Sequence, residues 1–444
     1  MARALFLLAL IFLHSAASAE TAWRGTSKDS RVSGSGDVLD RAGSRLDLAA
    51  AQTGKQGFAA AMTSLDAEAY RGREVVLSGV LQVEEGKGRG ALWIRADRLD
   101  ERLEFQSTGD DPLGLHDDAQ ARELRLYVPM EATSLRFGVS MNAPGRTKAE
   151  SLKLRSEAAS SSGVSAYDVL AAALSVIGSK ALNRTKVDWP AERSQLLISG
   201  LKDLPAPEAY PRIRRALAKL KDHHSFLQIP ATAAQYRTRA TPTEAMAASA
   251  SGNVGYLRLP GLMGSDPEAS GAFAARVCRS LADMADKTAY GVIVDLREDR
   301  GGNMWPMING LHPLLGSGDV GAFRDADGNT KPWKSRIPGA CTTDMTSKPV
   351  AVLIGSRTAS SGEAVATAFQ GRPATRFFGR PTAGLSTANA GFVLPDGSVL
   401  GLTTAVDVDR TGRAFPDGHT PDVLVDDGQD AIKVAGAWLR SIAQ

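Results

Sequence analysis

The stretch KPVAVLIGSRTASSGEAVATAF, residues 348–369, joins a buried-strand pattern, a short turn and a helix pattern in immediate succession. The run VAVLIG is apolar up to Gly355, as expected for a strand that is covered on both faces. A helix-forming run begins around Ser361. A strand followed closely by a helix is typical of an α/β layered domain, so this stretch predicts that class of fold.

Ser360 lies in the turn between this strand and this helix. A hydroxyl there is exposed and stands next to unpaired N–H groups at the helix start, where the helix dipole also favours negative charge. Such a position suits a nucleophile and the oxyanion that it creates. Serine is also a common helix N-cap, so the turn alone is compatible with either role.

Two other segments contain residue types that are useful in catalysis. GVIVDLREDRGGNMWP, residues 291–306, ends a strand and then reaches the pair Gly301–Gly302. Paired glycines allow positive φ and can present an N–H to a reacting carbonyl oxygen. LKDHHSFL, residues 220–227, places His223 and His224 beside a serine at the end of a helix pattern. A histidine there is either a general base or a structural residue.

The patterns around these segments predict several domains. Strands alternate with helices over residues 250–444, which predicts an α/β core, and residues 163–235 form a helical segment that carries the two histidines. Residues 51–157 contain short β-rich runs between turn residues, which predict an all-β sandwich. The order of these runs loosely resembles the jelly rolls of galactose-binding-like domains. Residues 20–50 are rich in Gly, Ser, Asp and Arg and predict a flexible N-terminus.

Composition and the N-terminal residues limit the class of protein. A chain of 444 residues with 43% hydrophobic and 23% charged residues is expected to form two or three globular domains. The net charge is only +3 and no long basic run is present, so no nucleic acid partner is predicted.

The N-terminal residues predict a signal peptide over residues 1–19, because Arg3 is followed by an apolar run and by the A-x-A site at Ala17–Ala19. Export to the periplasm or beyond is therefore expected. No later apolar run reaches about 18 residues, so no membrane span is expected.

The sequence contains two cysteines, Cys278 and Cys341. An exported protein could pair them, but the sequence does not give their distance, so their disulfide state stays open. Their spacing matches no metal site, and no ligand cluster stands out. We therefore expect neither a metal nor another cofactor.

Taken in order, the segments DLRxxxGG, TASSGE, GRPTAGLST and PDGHTPDV resemble the core of C-terminal processing (tail-specific) and tricorn-core serine peptidases. The resemblance extends over residues 200–444. The family pattern T-x-S-x-x-E matches Thr358 to Glu363 and implies that Ser360 is the nucleophile. It also implies a crotonase/ClpP-like α/β core, with oxyanion donors from Ser361 and from one of the two glycines Gly301 and Gly302.

The base differs from that of many family members, which place a catalytic lysine where this sequence has Leu385. A leucine cannot exchange a proton, so a Ser–Lys mechanism is not expected. A branch similar to the tricorn-core and nisin-resistance peptidases uses a histidine in a D-x-H-S/T context instead. Residues 222–225, Asp-His-His-Ser, fit that context with His224 as base and His223 as the rival.

Further departures concern the supporting residues and substrate capture. The branch with a histidine base has a late glutamate; AFPDGHTPDV has none, and Asp417 is the nearest substitute. Glu363 is expected to support the nucleophile loop. Many family members insert a PDZ domain after the histidine, but the stretch from Pro230 to Asn253 is too short for one. Strict recognition of substrate tails is therefore a weaker expectation than peptidase activity.

These observations predict an exported serine peptidase that cleaves protein or peptide substrates through an acyl-enzyme on Ser360, with His224 as general base. The alternative is a non-catalytic ligand- or carbohydrate-binding protein on the same fold, since retinoid-binding relatives of the family share the core. Under either interpretation, the N-terminal sandwich could contact a glycan or a protein. The oligomeric state is not readable from the sequence.

Overall fold

The computed structural model describes residues 21–26, 29–52, 58–109, 112–159, 163–339, 341–426 and 428–442. The predicted signal peptide, residues 1–19, lies outside these ranges. The chain divides into two compact units, Met1–Gly163 and Val164–Gln444.

The first unit is all-β. Its strands are β1 (Arg24–Gly25), β2 (Ser30–Ser35), β3 (Ser44–Ala50), β4 (Ala59–Asp66), β5 (Arg73–Gly86), β6 (Gly90–Arg98), β7 (Glu101–Ser107), β8 (Gln120–Tyr127), β9 (Ser134–Met141) and β10 (Gly145–Ala158). They form two antiparallel sheets, in the orders β1-β4-β9-β6-β7 and β2-β3-β10-β5-β8. Buried residues from both sheets share one core, including Leu77 of β5 and Phe137 of β9. Two sheets that bury their inner faces against each other account for the alternating pattern of these strands.

The prediction of a flexible segment over residues 20–50 was wrong. Strands β2 and β3 lie within it, and β3 pairs with β10. In β3 buried side chains alternate with exposed or half-buried ones, and Leu46 and Leu48 are fully buried. A half-buried strand needs apolar residues only at every second position, so polar composition hid the pattern.

The second unit begins with helices α1 (Ala166–Lys180), α2 (Trp189–Leu196) and α3 (Tyr210–Lys219). Two of them begin at side-chain caps, because Ser165 Oγ accepts the Asp168 N–H and Asp188 Oδ1 accepts the Ala191 N–H. The elements that follow are β11 (Phe226–Gln228), α4 (Pro230–Thr238), β12 (Ala240–Pro242), β13 (Ala247–Ser251), β14 (Val254–Arg258), β15 (Leu262–Gly264), α5 (Pro267–Ala282), β16 (Gly291–Asp295), α6 (Met304–Gly310), α7 (His312–Leu315), β17 (Asp319–Asp325), β18 (Thr330–Lys334), β19 (Val350–Ile354), α8 (Ser361–Phe369), β20 (Thr375–Gly379), β21 (Thr387–Val393), β22 (Val399–Val408), β23 (Val423–Leu424) and α9 (Ala431–Ile442).

The main sheet of this unit has the order β13-β14-β16-β19-β20-β23. All neighbours are parallel except the edge pair β13 and β14. Every residue of β16 and β19 is buried, and apolar clusters cover both faces of the sheet. Because β16 and β19 are parallel neighbours, the loops that leave their carboxyl ends lie side by side.

A second, antiparallel sheet has the order β11-β22-β17-β18, and β21 also pairs with β22. Leu400 and Leu402 of β22 share a core with α1 and α3. The helical segment therefore packs directly on this sheet, and β11 continues from the histidine-bearing loop. Between β11 and β14 the chain forms only α4, β12 and β13.

Cys278 in α5 and Cys341 form a disulfide, which resolves the pairing that the sequence left open. The two residues are 63 positions apart, so the bond ties α5 to the loop that leads into β19. In the described parts of the chain, no helix is long and apolar enough to cross a membrane. Those parts also contain no group of three or more His, Cys, Asp or Glu side chains that could hold a metal ion.

Candidate active site

Ser360 lies between β19 and α8 in a strained backbone conformation. Its φ is 52° and its ψ is −119°, a region that residues other than glycine rarely adopt. Glu363 Oε2 accepts the Ser360 N–H at 3.2 Å, and the carbonyl of Asp299 accepts the N–H of Ala359 at 3.0 Å. These bonds hold the turn in a shape that ordinary propensity would not select, which is how functional serines on strand-to-helix turns are presented.

His224 lies next to this serine. Its Nε2 is 2.9 Å from Ser360 Oγ, and its Nδ1 is 2.7 Å from Thr387 Oγ1. When Nδ1 carries the ring proton and donates it to Thr387, Nε2 is free to accept the proton of the serine. Burial lowers the pKa of His224, and the charge of Asp222 opposes that shift. The imidazole therefore favours its neutral form, which is the form that a base needs.

The histidine is held by its own loop and by β21. Asp222 Oδ1 accepts the N–H groups of His224 at 3.1 Å and of Ser225 at 2.9 Å. Asn389 Nδ2 donates to the carbonyl of His224 at 2.8 Å, and its Oδ1 accepts from Thr403 Oγ1 at 2.9 Å. The backbone of His224 is therefore held at its N–H by Asp222 and at its carbonyl by Asn389. These bonds position the residue independently of the contacts that its ring makes.

His223, the rival base, is exposed and has a φ of 55°. Of the two adjacent imidazoles, the ring of His224 is the one that lies at hydrogen-bonding distance from Ser360. The positive φ turns the chain between the two histidines, so their side chains are presented to different surroundings.

The predicted oxyanion donors differ in what their N–H groups already bind. The N–H of Gly301 donates to Asp299 Oδ1 at 2.9 Å. Within residues 163–339 and 341–426, the N–H groups of Gly302 and Ser361 have no hydrogen-bond acceptor. Ser361 Oγ donates to the Gly302 carbonyl at 2.5 Å, so these two residues lie side by side. Two unpaired N–H groups beside a nucleophile can together receive a developing oxyanion.

Gly301 approaches the nucleophile so closely that a side chain does not fit. A Cβ there would lie 2.9 Å from Ser360 Cβ and 3.0 Å from the Ser361 nitrogen, and the φ of Gly301 is 98°. Gly301 therefore packs against the nucleophile loop, and both the limited space and the positive φ require a glycine there.

Comparison with known proteins agrees with this arrangement. The model of peptidase family S41 matches residues 253–425. The nisin-resistance protein of Lactococcus lactis subsp. lactis is 31% identical over 246 residues, which cover 53% of this chain and 74% of that protein. The chain belongs to peptidase family S41. Accordingly it is a serine-type peptidase.

Two further comparisons are consistent with S41 membership. The chloroplastic carboxyl-terminal-processing peptidase 2 of Arabidopsis thaliana is 28% identical over 180 residues, which cover 39% of this chain and 33% of that protein. The solved structure of a lipoprotein from Streptococcus agalactiae has a TM-score of 0.55 and 25% identity, with 63% of this chain and 97% of that chain covered. Ser360 and the glycine pair lie inside the S41 match, whereas His224 lies before it begins.

Glu363, expected to support the nucleophile loop, is fully buried and receives four hydrogen bonds. Oε1 accepts from Thr382 Oγ1 at 2.5 Å and from the Gly384 N–H at 3.0 Å. Oε2 accepts from the N–H groups of Leu385 at 2.6 Å and of Ser360 at 3.2 Å. This carboxylate therefore joins the nucleophile loop to the chain that leads into β21.

The assignment of Asp417 as the partner of the histidine was wrong. Asp417 is exposed, and the Nδ1 of His224 contacts Thr387. The neighbouring His419 is buried against Phe415 and lies 3.0 Å from Thr367 Oγ1. Burial lowers the pKa of His419 to about 4, so it is a neutral structural residue.

Asp295 and Arg297 of the DLR motif form a bidentate ion pair, at 2.9 and 2.7 Å.

Three residues of the site were not identified from the sequence: Thr387, Asn389 and Asp299. Threonine and asparagine at the start of a strand carry no signal of their own. Thr387 and Asn389 follow Leu385 by two and four positions, so the stretch after Leu385 was the place to look for them.

Proposed function

We propose that this S41 member is an exported serine peptidase that hydrolyses peptide bonds through an acyl-enzyme on Ser360, with His224 as general base. The observation that carries the proposal is the 2.9 Å distance from His224 Nε2 to Ser360 Oγ, together with the contact of Nδ1 with Thr387 at 2.7 Å. A nucleophile, a base and a group that orients the base are the three parts that acyl transfer requires.

In the acylation step Ser360 Oγ attacks the substrate carbonyl carbon while His224 Nε2 takes the hydroxyl proton. The N–H groups of Ser361 and Gly302 bind the oxyanion, because Gly301 already donates to Asp299. His224 then gives its proton to the leaving amine as the C–N bond breaks. In the second half, water attacks the acyl-enzyme, His224 accepts its proton, and the released serine regains one.

Several finer features complete the proposal. The mostly parallel sheet with helices on its faces is consistent with a crotonase/ClpP-like core, and the two-sheet unit is consistent with a jelly roll of the galactose-binding-like kind. We assign that unit a glycan or protein contact. Residues 1–19 would direct the chain to the periplasm or beyond.

The substrate is a protein or peptide. The stretch between β11 and β14 folds into α4, β12 and β13, so substrate binding must use the catalytic unit and its surroundings in place of a PDZ domain. A non-catalytic binding protein is the second candidate, and the orientation of the dyad and the two unpaired N–H groups count against it. A binding protein has no need of a base at hydrogen-bonding distance from a strained serine.

The test is covalent labelling of the mature protein with a fluorophosphonate. Ser360 Oγ would form a bond to phosphorus, fluoride would leave, and His224 would take the proton. We expect labelling of the wild type and of the control Ser356→Ala, which removes an exposed hydroxyl of the same turn, and none of Ser360→Ala. Labelling by Ser360→Ala, or a folded wild type that does not react, would contradict the proposed function.

The base is tested in parallel. His224→Ala should lose at least a hundredfold in labelling rate, a loss typical of a missing general base. His223→Ala is the matched control and should label at the wild-type rate. The reverse result would assign the role to His223.

A further inference from the structure

Asp299 is a buried carboxyl beneath the nucleophile loop whose role the proposed mechanism does not include. Its side chain is fully buried, and its Oδ1 accepts the N–H of Gly301 at 2.9 Å. Its backbone carbonyl accepts the N–H of Ala359 at 3.0 Å. One residue is therefore bonded to both loops that form the oxyanion site, through its side chain to one and through its backbone to the other.

Glycines enclose this residue. A Cβ on Gly362 would lie 2.5 Å from the Asp299 carbonyl oxygen and 3.0 Å from its Cγ, and one on Gly261 would lie 2.9 Å from its Oδ1. The carboxyl is thus enclosed closely on two sides. Its second oxygen, Oδ2, is buried and has no hydrogen-bond partner among the described residues. An ionised carboxylate with an unpaired buried oxygen is costly, so the surroundings favour the protonated form.

Among the residues that the structure describes, no cation pairs with the Asp299 carboxyl. The charged residues on the loops around it are Arg297, Glu298, Arg300, Arg357 and Glu363. Arg297 pairs with Asp295, and Arg357 pairs with Glu298 at 2.9 Å. Arg300 is exposed, and Glu363 is occupied by its four donors. The strip 259–264 contains no titratable residue.

We propose that Asp299 is a positioning residue of the oxyanion site and that it acts as a neutral carboxyl. It binds the N–H of Gly301, which leaves the N–H of Gly302 as the donor for the oxyanion, and it keeps the glycine loop and the nucleophile loop at a fixed spacing. This inference rests on the peptidase function proposed above.

The protonation state matters because the oxyanion is negative. A carboxylate one residue away from an oxyanion donor repels the charge that develops there, whereas a neutral carboxyl does not. Burial raises the pKa of Asp299 to about 8, and the bond from Gly301 opposes that shift. The activity should therefore fall at alkaline pH, as Asp299 loses its proton.

The experiment compares the rate of fluorophosphonate labelling from pH 6 to pH 10 in the wild type and in Asp299→Asn. The amide has nearly the same shape, accepts the Gly301 N–H and cannot ionise. We expect the wild-type rate to fall roughly tenfold above about pH 8, and the rate of Asp299→Asn to stay level. Asp299→Ala, which leaves Gly301 without an acceptor, should be roughly tenfold slower or worse at every pH.

Several results would overturn the inference. One is an Asp299→Asn variant whose labelling rate falls at alkaline pH as much as that of the wild type. Another is an Asp299→Asn variant that is inactive or does not fold, because an amide of the same shape should be able to replace a neutral carboxyl. A third is Asp299→Ala that labels as fast as Asp299→Asn. Failure of the proposed function would look different, because Ser360→Ala would still label or the folded wild type would not react at all.

A second measurement needs no activity. The folded-state pKa of Asp299 lies above its unfolded value of about 3.9, so the neutral carboxyl favours folding at low pH, and this contribution is lost as pH rises towards 8. We expect the melting temperature of Asp299→Asn to rise relative to that of the wild type between pH 4 and pH 8. Above pH 8 the difference between the two melting temperatures should stay constant. A constant difference over that interval would mean that Asp299 is ionised in the native protein, which contradicts the inference.

Discussion

Thr387 Oγ1 lies 2.7 Å from His224 Nδ1, on the side of the imidazole that faces away from Ser360. When Nδ1 donates its proton to this hydroxyl, Nε2 is unprotonated and can accept the proton of the serine. A hydroxyl thus takes the position that a carboxylate occupies in many serine peptidases. A neutral partner orients the ring but does not stabilise the imidazolium by charge.

Thr387→Val keeps the shape of the side chain and removes the acceptor for the Nδ1 proton. We expect the labelling rate to fall roughly tenfold or more, because the unproductive tautomer is no longer disfavoured. Thr387→Ser restores a hydroxyl and should retain most of the rate. Equal rates for the valine variant and the wild type would show that Thr387 does not orient the base.

The acid limb of the pH–rate profile should report His224. Burial lowers its pKa below the usual value of about 6.5, so the neutral base persists to lower pH and the rate should be half-maximal below pH 6.5. The charge of Asp222 raises that pKa. Asp222→Asn should therefore move the acid limb to lower pH, whereas His223→Ala should leave it unchanged. A shift to higher pH in Asp222→Asn would contradict this electrostatic account.

Close packing at Gly301 predicts that no side chain is tolerated at this position. In Gly301→Ala the new methyl group would lie 2.9 Å from Ser360 Cβ, and the φ of 98° would be strained. We expect at least a hundredfold loss of labelling with the protein still folded, because the oxyanion loop is displaced. Gly318→Ala is a suitable control, since a Cβ there would meet nothing within 4 Å. Normal labelling of Gly301→Ala would exclude the close approach.

The sequence motifs named Ser360 and His224, and their side chains lie 2.9 Å apart in the structure. Such motifs are readable because each combines unusual residues at a set spacing. Asn389 shows the limit of this approach. It reaches the His224 carbonyl from a strand whose register shifts between Ala388 and Asn389, and a bulge of this kind leaves no signal in one sequence.

The fold, like the site, could be predicted from the sequence only in part. The buried strands β16 and β19 are continuous apolar runs, so the α/β core could be predicted, and the short β-rich runs predicted the all-β unit. Strand β3 was missed because only Leu46 and Leu48 anchor it in a polar segment. The choice between Thr387 and Asp417 as partner of the histidine depends on how β21 lies beside the dyad, which spacing along the chain does not specify.

Glu363 is predicted to be a stability residue as well as a support for the nucleophile. Glu363→Gln replaces one carboxylate oxygen by an NH₂ group, which would face two donors that it cannot satisfy. We expect a loss of about 2–3 kcal/mol in the free energy of unfolding, typical of buried groups left without partners, and a slower labelling rate. Glu298→Gln changes a half-exposed carboxylate paired with Arg357 and should cost well under 1 kcal/mol. Urea unfolding of both variants, followed by tryptophan fluorescence, measures the difference, and equal stabilities would contradict the role of Glu363.

The disulfide between Cys278 and Cys341 should stabilise the catalytic unit without taking part in the reaction. A cross-link between residues 63 positions apart restricts the unfolded chain and is expected to contribute about 4 kcal/mol in the chain-entropy model. We expect the variant Cys278→Ala/Cys341→Ser to unfold at a lower urea concentration than the oxidised wild type, and reduction of the wild type to have a similar effect. The labelling rate at 25 °C should stay near the wild-type value, because neither cysteine contacts Ser360 or His224. A large loss of labelling in a variant that is still folded would mean that the loop before β19 needs the cross-link to hold the nucleophile in place.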